Sequence, residues 1–207
     1  MNFVKMSLCV LAVIGIVACG AEPTVEVDVV IDEIAPDPTW EVVAEDALSE
    51  SQQAQLVLGR EAQGTLATGL KSALMKAIDD GGPASAITIC NDEALKITTA
   101  VASETGVWLG RTSQKLRNPA NIAPDWTREI VSGQTADLSI QVASDGRLGV
   151  LTPIVFKAEC AMCHGAVEEI DEELYASITE AYPDDQATGF IEGDVRGWFW
   201  FEVPASS

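Results

Sequence analysis

DLSIQVASDGRLGVLTPIVF, residues 137–156, holds two runs of strand-favouring residues on either side of Ser144-Asp145-Gly146. Gly146 can supply the positive φ that a tight connection needs, so the stretch predicts an antiparallel hairpin. Upstream the periodicity is helical. Leu56, Gly59, Gln63, Leu66, Leu70, Leu74 and Ile78 recur at three- and four-residue steps over residues 51–79. Gly81-Gly82-Pro83 predicts a stop and a turn. A second helix is expected from about Ser85, with Ala86, Cys90, Ala94, Ile97 and Val101 on one side and Gly106 at its end. VWLGRTS (107–113) reads as a strand, and Pro124-Asp125-Trp126 opens a short helix. Beyond the hairpin, a helix carrying ECAMCHG (159–165), another over 167–180 and the aromatic strand DVRGWFWFEV (194–203) are expected. Long helices, then a hairpin and a late strand, predict an α+β fold in which helices pack on an antiparallel sheet.

The flanks read differently. The 207 residues suit one domain with accessories. A formal charge of −20 argues against nucleic acid and anionic lipid surfaces as partners, because like charges repel. Residues 1–18 read as an export signal: Lys5 precedes an apolar run from Met6 to Val17 that is too short to span a bilayer. Ile16-Val17-Ala18-Cys19 resembles a bacterial lipobox, which makes Cys19 the expected lipidation site; the alternative is plain cleavage near Ala18. Gly20 after that cysteine leans towards the outer rather than the inner membrane, with the protein on the periplasmic side. Residues 21–50 hold ten acidic residues and no basic one, so 19–50 are expected to be a self-repelling tether and 51–207 the folded domain.

In ECAMCHG, Cys160 and Cys163 lie three apart and the chain's only histidine, His164, follows. Three chemistries compete for them. After export and lipidation, Cys90, Cys160 and Cys163 remain, an odd number for a disulfide framework. Zinc wants four ligands, and only Cys90 could complete a Cys₃His set. A covalently attached c-type haem uses every residue: two thioethers from Cys160 and Cys163, and His164 on the iron. The single histidine means one haem without bis-histidine ligation. For the opposite face of the iron the residues offer Met75 or Cys90. An unpaired thiol is a liability in an oxidising compartment, and iron would protect it. Arg111, Lys115 and Arg117 stand out in a chain with twelve basic residues. Arg111 and Arg196, both on predicted strands, are the candidate contacts for haem propionates, since an arginine fork suits carboxylates. The competing reading pairs them with Asp125, Asp185 or Asp194. Asn118-Pro119-Ala120-Asn121 reads as a structural turn.

Four segments, GGPASAITICNDEALKI (81–97), LGRTSQKLRNPANIAPDW (109–126), TPIVFKAECAMCHG (152–165) and AYPDDQATGFIEGDVRGW (181–198), resemble in this order the exported single-haem c-type family with a PAS-like fold. That family was first described structurally from a cyanobacterial haem protein, and related domains serve as sensor modules of histidine kinases. The resemblance covers roughly residues 50–203. It implies a five-stranded antiparallel sheet flanked by helices, His164 as proximal iron ligand and Cys90 as distal one. A filled sixth position and no spare histidine argue against an enzyme. The expected role is redox sensing or redox and gas signalling, with carbon monoxide or nitric oxide as ligand and a separate, unnamed signalling or redox partner. A low-potential electron carrier and a lipoprotein merely stapled by its haem are the alternatives.

Overall fold

The computed structural model describes residues 37–205. The expected signal peptide, Cys19 and the tether up to residue 36 lie outside them. Five strands form one antiparallel sheet: β1 (Trp40–Val42), β2 (Trp108–Thr112), β3 (Ser139–Ala143), β4 (Leu148–Val155) and β5 (Val195–Val203). Their order across the sheet is β1-β3-β4-β5-β2. The hairpin forms as its sequence predicts, with Gly146 at φ 86° and the Ala143 N–H donating to the Arg147 carbonyl at 2.9 Å. The architecture is α+β and compatible with a PAS-like fold.

The tether ends sooner than expected. Trp40–Val42 pair with Gln141–Ala143 as the outermost strand, and a 3₁₀ turn at Glu45–Ala47 leads into the first helix. The folded domain therefore takes in residues assigned to the linker. Its acidity gave no sign of this, because the strand is held by its neighbour β3 and by Trp40 stacking on Trp126 at 5.0 Å between ring centroids.

Helix α1 (Glu50–Thr105) starts at a capping box: the Ser49 hydroxyl accepts the Gln52 N–H, and the Gln52 side chain accepts the Ser49 N–H. It is broken where Gly81-Gly82-Pro83 predicts. Gly82, at φ 79° and ψ 179°, is non-helical and divides α1 into two arms. The first arm lays Leu56, Gly59 and Leu66 on the sheet, and Gly59 lies so close to the Phe201 ring that a Cβ there would come within 2.1 Å of it. The second arm buries Ala86, Ile87, Ala94 and Val101 and ends at Gly106, whose left-handed backbone lets its N–H cap the Ala102 carbonyl. One core thus joins both arms of α1 to β2–β5 through Leu66, Val101, Leu109, Val150 and Phe201. The short helix α2 (Arg128–Gly133) follows a 3₁₀ turn at Asp125–Thr127.

The elements around ECAMCHG are shorter than expected. A 3₁₀ turn, Ala158–Cys160, runs into the single turn of α3 (Ala161–His164). The expected helix 167–180 splits into a 3₁₀ turn, Val167–Glu169, and α4 (Glu172–Ala181). The split has a local cause. Asp171 adopts an extended backbone and its carboxylate accepts the N–H groups of Glu173 and Leu174, both at 3.0 Å, so helix starts only after it.

Candidate functional site

Four segments distant in sequence meet at one side of the sheet: the second arm of α1, the stretch after β2, the turn carrying α3, and the chain from α4 to β5. β4 delivers the motif. Past its end the Phe156 N–H donates to the Asp194 carbonyl at 2.8 Å and the Gly193 N–H to the Phe156 carbonyl at 3.1 Å. Cys160 packs against Phe156, Ala187 and Phe190. Cys163 packs instead against the cluster of Ile87, Ile170, Leu174, Ile178 and Tyr182, which joins α1 to α4. Both cysteines are half-buried free thiols. Beyond them the chain straightens, and the carbonyls of His164 and Gly165 accept the N–H groups of Phe190 and Gly189 at 3.1 and 2.7 Å.

That straightening sets His164. Its Nδ1 lies 2.7 Å from the Ala187 carbonyl oxygen. A carbonyl only accepts, so Nδ1 carries the hydrogen and Nε2 the lone pair. Burial, reinforced by Arg196 and Arg117 nearby, holds the imidazole well below its ordinary value, against the opposing pull of the Ala187 bond. A neutral ring with its Nδ1 tied to the backbone is the form in which histidine binds metals through Nε2.

Three arginines, Arg196, Arg117 and Arg111, lie near enough to the ring to act on it through their charge. Arg117 has a partner: its Nη2 lies 2.9 Å from Asp185 Oδ2 in a buried pair. Arg111 and Arg196 have none, for among the described residues no carboxylate pairs with either. The acids offered as alternatives are otherwise engaged. Asp125 takes Arg128, Asp185 takes Arg117, and Asp194 Oδ2 accepts the Ile191 N–H. Arg196 stands over the Phe190 ring at 5.2 Å, and its Nε is buried with no hydrogen-bond partner among the described residues. Burial draws Arg111 below the ordinary arginine value. Burial and then Arg117 draw Arg196 down to about 10. A guanidinium does not release its proton in a protein, so the same forces act as a demand for an anion. With Asp185 cancelling one of three cations, two positive charges are left over.

Cys90 belongs to the same site. It sits on the second arm of α1, one turn after Ile87. Burial pushes its thiol up, and the charges of Arg111 and Arg117 pull it back. It is close enough to Cys163 to push that thiol up as well, after burial and against the pull of Arg117. The sequence-predicted residues Cys90, Arg111, Cys160, Cys163, His164 and Arg196 are therefore brought together, whereas Met75 is exposed on the first arm. Tyr182 is an unforeseen member. It is buried, its hydroxyl has no partner among the described residues, and burial followed by Cys90 pushes it up to about 12. Among the described residues no three His, Cys, Asp or Glu side chains close on one point as a zinc site requires. The donors instead lie beside two cations without a carboxylate partner and a buried phenol, a setting that suits a group carrying two carboxylates.

The family model described as Tll0287-like (Tll0287) matches residues 37–204. The chain belongs to this family. Its match begins with the first described residue of the fold, so β1 is part of the family domain. Among solved structures, the crystal structure of the cyanobacterial haem protein Tll0287 matches with a TM-score of 0.53 and 20% identity, over 77% of this chain and 99% of that one. At that identity the likeness is one of fold. No curated protein matches. The Tll0287-like domain here carries its motif at the junction of β4 and α4 and the second thiol on the far arm of α1.

Proposed function

We propose that this chain is a single-haem c-type protein that acts in redox sensing or redox and gas signalling. The haem would be held by thioethers to Cys160 and Cys163, with His164 Nε2 and Cys90 as the residues that bind its iron. Arg111 and Arg196 take the propionates: two leftover cations for two carboxylates. The observation that carries the reading is the setting of His164, neutral, tied through Nδ1 and with Nε2 unengaged. The Tll0287 title, which names a haem protein, supports it from the side of the family.

Haem bound here would supply one-electron chemistry and, were Cys90 to let go, could take up carbon monoxide or nitric oxide. The chain's own residues do the rest. The backbone bond fixes His164, so it is the ligand that stays. Cys90 is the ligand able to leave, because it stands on a helical arm joined to the rest of α1 through Gly82. Cys90 would supply an anionic sulfur, which favours ferric over ferrous iron and would lower the potential. A haem held by both His164 and Cys90 would leave the iron no open position, and with no second histidine to move protons the role proposed is not an enzyme's. Export and a lipid on Cys19, at the periplasmic face of the outer membrane, complete the proposal and rest on the signal sequence alone. One observation favours plain electron transfer as a second reading: Met162, between the two thioether cysteines, is 47% exposed, so that edge of the site faces solvent.

An absorption spectrum decides. In protein matured with a c-type haem assembly system, thiolate charge-transfer bands in the ferric state and carbon monoxide binding after dithionite are expected. A six-coordinate reduced spectrum indifferent to carbon monoxide would instead establish the electron-transfer reading. Absence of any haem spectrum would overturn both.

A further inference from the structure

Arg117 and Asp185 have no part in the function just proposed, yet they form the most deeply placed ion pair among the described residues, with side chains only 9% and 6% exposed. Arg117 Nη2 lies 2.6 Å from the Cys163 carbonyl oxygen, 2.9 Å from Asp185 Oδ2 and 3.4 Å from the Ala187 carbonyl oxygen. The two short bonds take its two hydrogens, and the third is a shared contact. The other carboxylate oxygen, Asp185 Oδ1, accepts the Ala187 N–H at 2.9 Å. Ala187 in turn offers its carbonyl to His164 Nδ1. One guanidinium and one carboxylate thus join the residue before the histidine to the residue that orients its ring.

A buried pair of this kind is weak evidence for stability, because desolvation offsets much of the attraction. Its placement says more. Residues 183–190 form no helix or strand, and a loop carbonyl holds a ring in one orientation only if the loop itself is held. Two further bonds add to the hold: the Gln186 N–H donates to the Leu116 carbonyl at 2.9 Å, and Lys115 Nζ to the Thr188 carbonyl at 3.2 Å.

We propose that Arg117 and Asp185 are positioning residues for His164, locking the carbonyl that orients its imidazole while their charges cancel at the metal. This rests on the reading of His164 as an iron ligand. It gives RTSQKLR a purpose within the site: Arg111 meets an anion of the bound group, and Arg117 sets the ring that holds the metal. Partners of this sort fix ligand orientation and basicity in other metal sites.

Opposite charges make the test discriminating. In the haem-loaded protein, Asp185→Asn leaves a positive charge uncancelled beside the iron and should raise the midpoint potential. Arg117→Gln leaves a negative one and should lower it, and the double variant should return towards the original value. Arg117→Lys keeps the charge but loses the fork, so it should leave the potential near its starting point while moving the ferric electron paramagnetic resonance g-values, which follow ring orientation. A purely structural pair would give a different pattern: lower urea midpoints in every variant, with potential and g-values unmoved or with both single variants shifting the potential the same way. That result would overturn the proposal. If Arg117→Gln does not fold, Asp185→Asn and Arg117→Lys still decide it, since unchanged potential in the first and unchanged g-values in the second refute it. Failure of the unsubstituted protein to take up covalent haem would overturn the haem reading itself, and is seen before any variant is made.

Discussion

Arg111 is a half-buried cation with no carboxylate partner among the described residues, and the two groups that favour its charge, Cys90 and Tyr182, ordinarily hold their protons. Without a bound anion such a residue costs the fold energy, and with one it holds the anion in place. The two situations predict opposite responses to one substitution. In haem-free protein, Arg111→Met should raise stability by on the order of 1–3 kcal/mol, because an apolar side chain of similar size replaces an unpaired charge. In the haem-loaded protein it should lower the urea midpoint. Denaturation curves of both forms check this, and a loss in the haem-free form as well would mean that Arg111 already has its partner. The sequence could mark Arg111, Arg117 and Arg196 as notable in an acidic chain, but it could not divide their roles. Arg117 meets Asp185 across 68 positions, and only the packed chain shows which cation is already neutralised. Tyr182 was hidden for the same reason: it stands in a quoted segment, and nothing local says that its hydroxyl is left unpaired.

Among the elements, the break in α1 is the one on which the site depends. Gly82 adopts φ 79° and ψ 179°, a region that is essentially glycine's alone, and nothing lies within 4 Å of where its Cβ would stand. The cost of Gly82→Ala is therefore conformational rather than steric, about 1–3 kcal/mol. It should appear as a lower melting temperature, and in the haem-loaded protein as weaker thiolate charge-transfer bands, since the arm that carries Cys90 is the part displaced. Stability lost with the bands intact would show that the second arm docks independently of the bend. This break was readable from Gly81-Gly82-Pro83, and the hairpin from Ser144-Asp145-Gly146, because each depends on what one or two residues can do with their own backbone. β1 was not readable. Trp40 and Val42 favour strands, but a three-residue run amid acidic residues is too short to stand out, and its ladder to Gln141–Ala143 exists only once the sheet has formed. The helix expected at ECAMCHG shrank to one turn for a related reason, since pairing with residues 189 and 190 takes over the backbone of His164 and Gly165.

At the scale of the whole molecule, the sheet acts as a frame that brings together parts of the chain with little local reason to meet. The chemistry proposed for the site rests on ECAMCHG and Cys90, which were legible in the sequence, whereas the brace behind the histidine and the leftover charge belong to the folded chain. The placing of the two proposed iron ligands has a topological effect. Cys90 and His164 are 74 positions apart (164 − 90 = 74), on the second arm of α1 and at the end of α3. A metal gripped by both closes that length of chain into a ring, as a disulfide would. For a ring of this size the chain-entropy relation gives about 4.5 kcal/mol, nearly all of it taken from the unfolded ensemble. Cys90→Ala should therefore lower the urea midpoint of the haem-loaded protein far more than that of the haem-free one, and equal losses in the two forms would show that no such ring closes. A ligand that lets go on reduction would then do more than open a coordination site: it would lift a constraint on the unfolded ensemble that spans about a third of the chain.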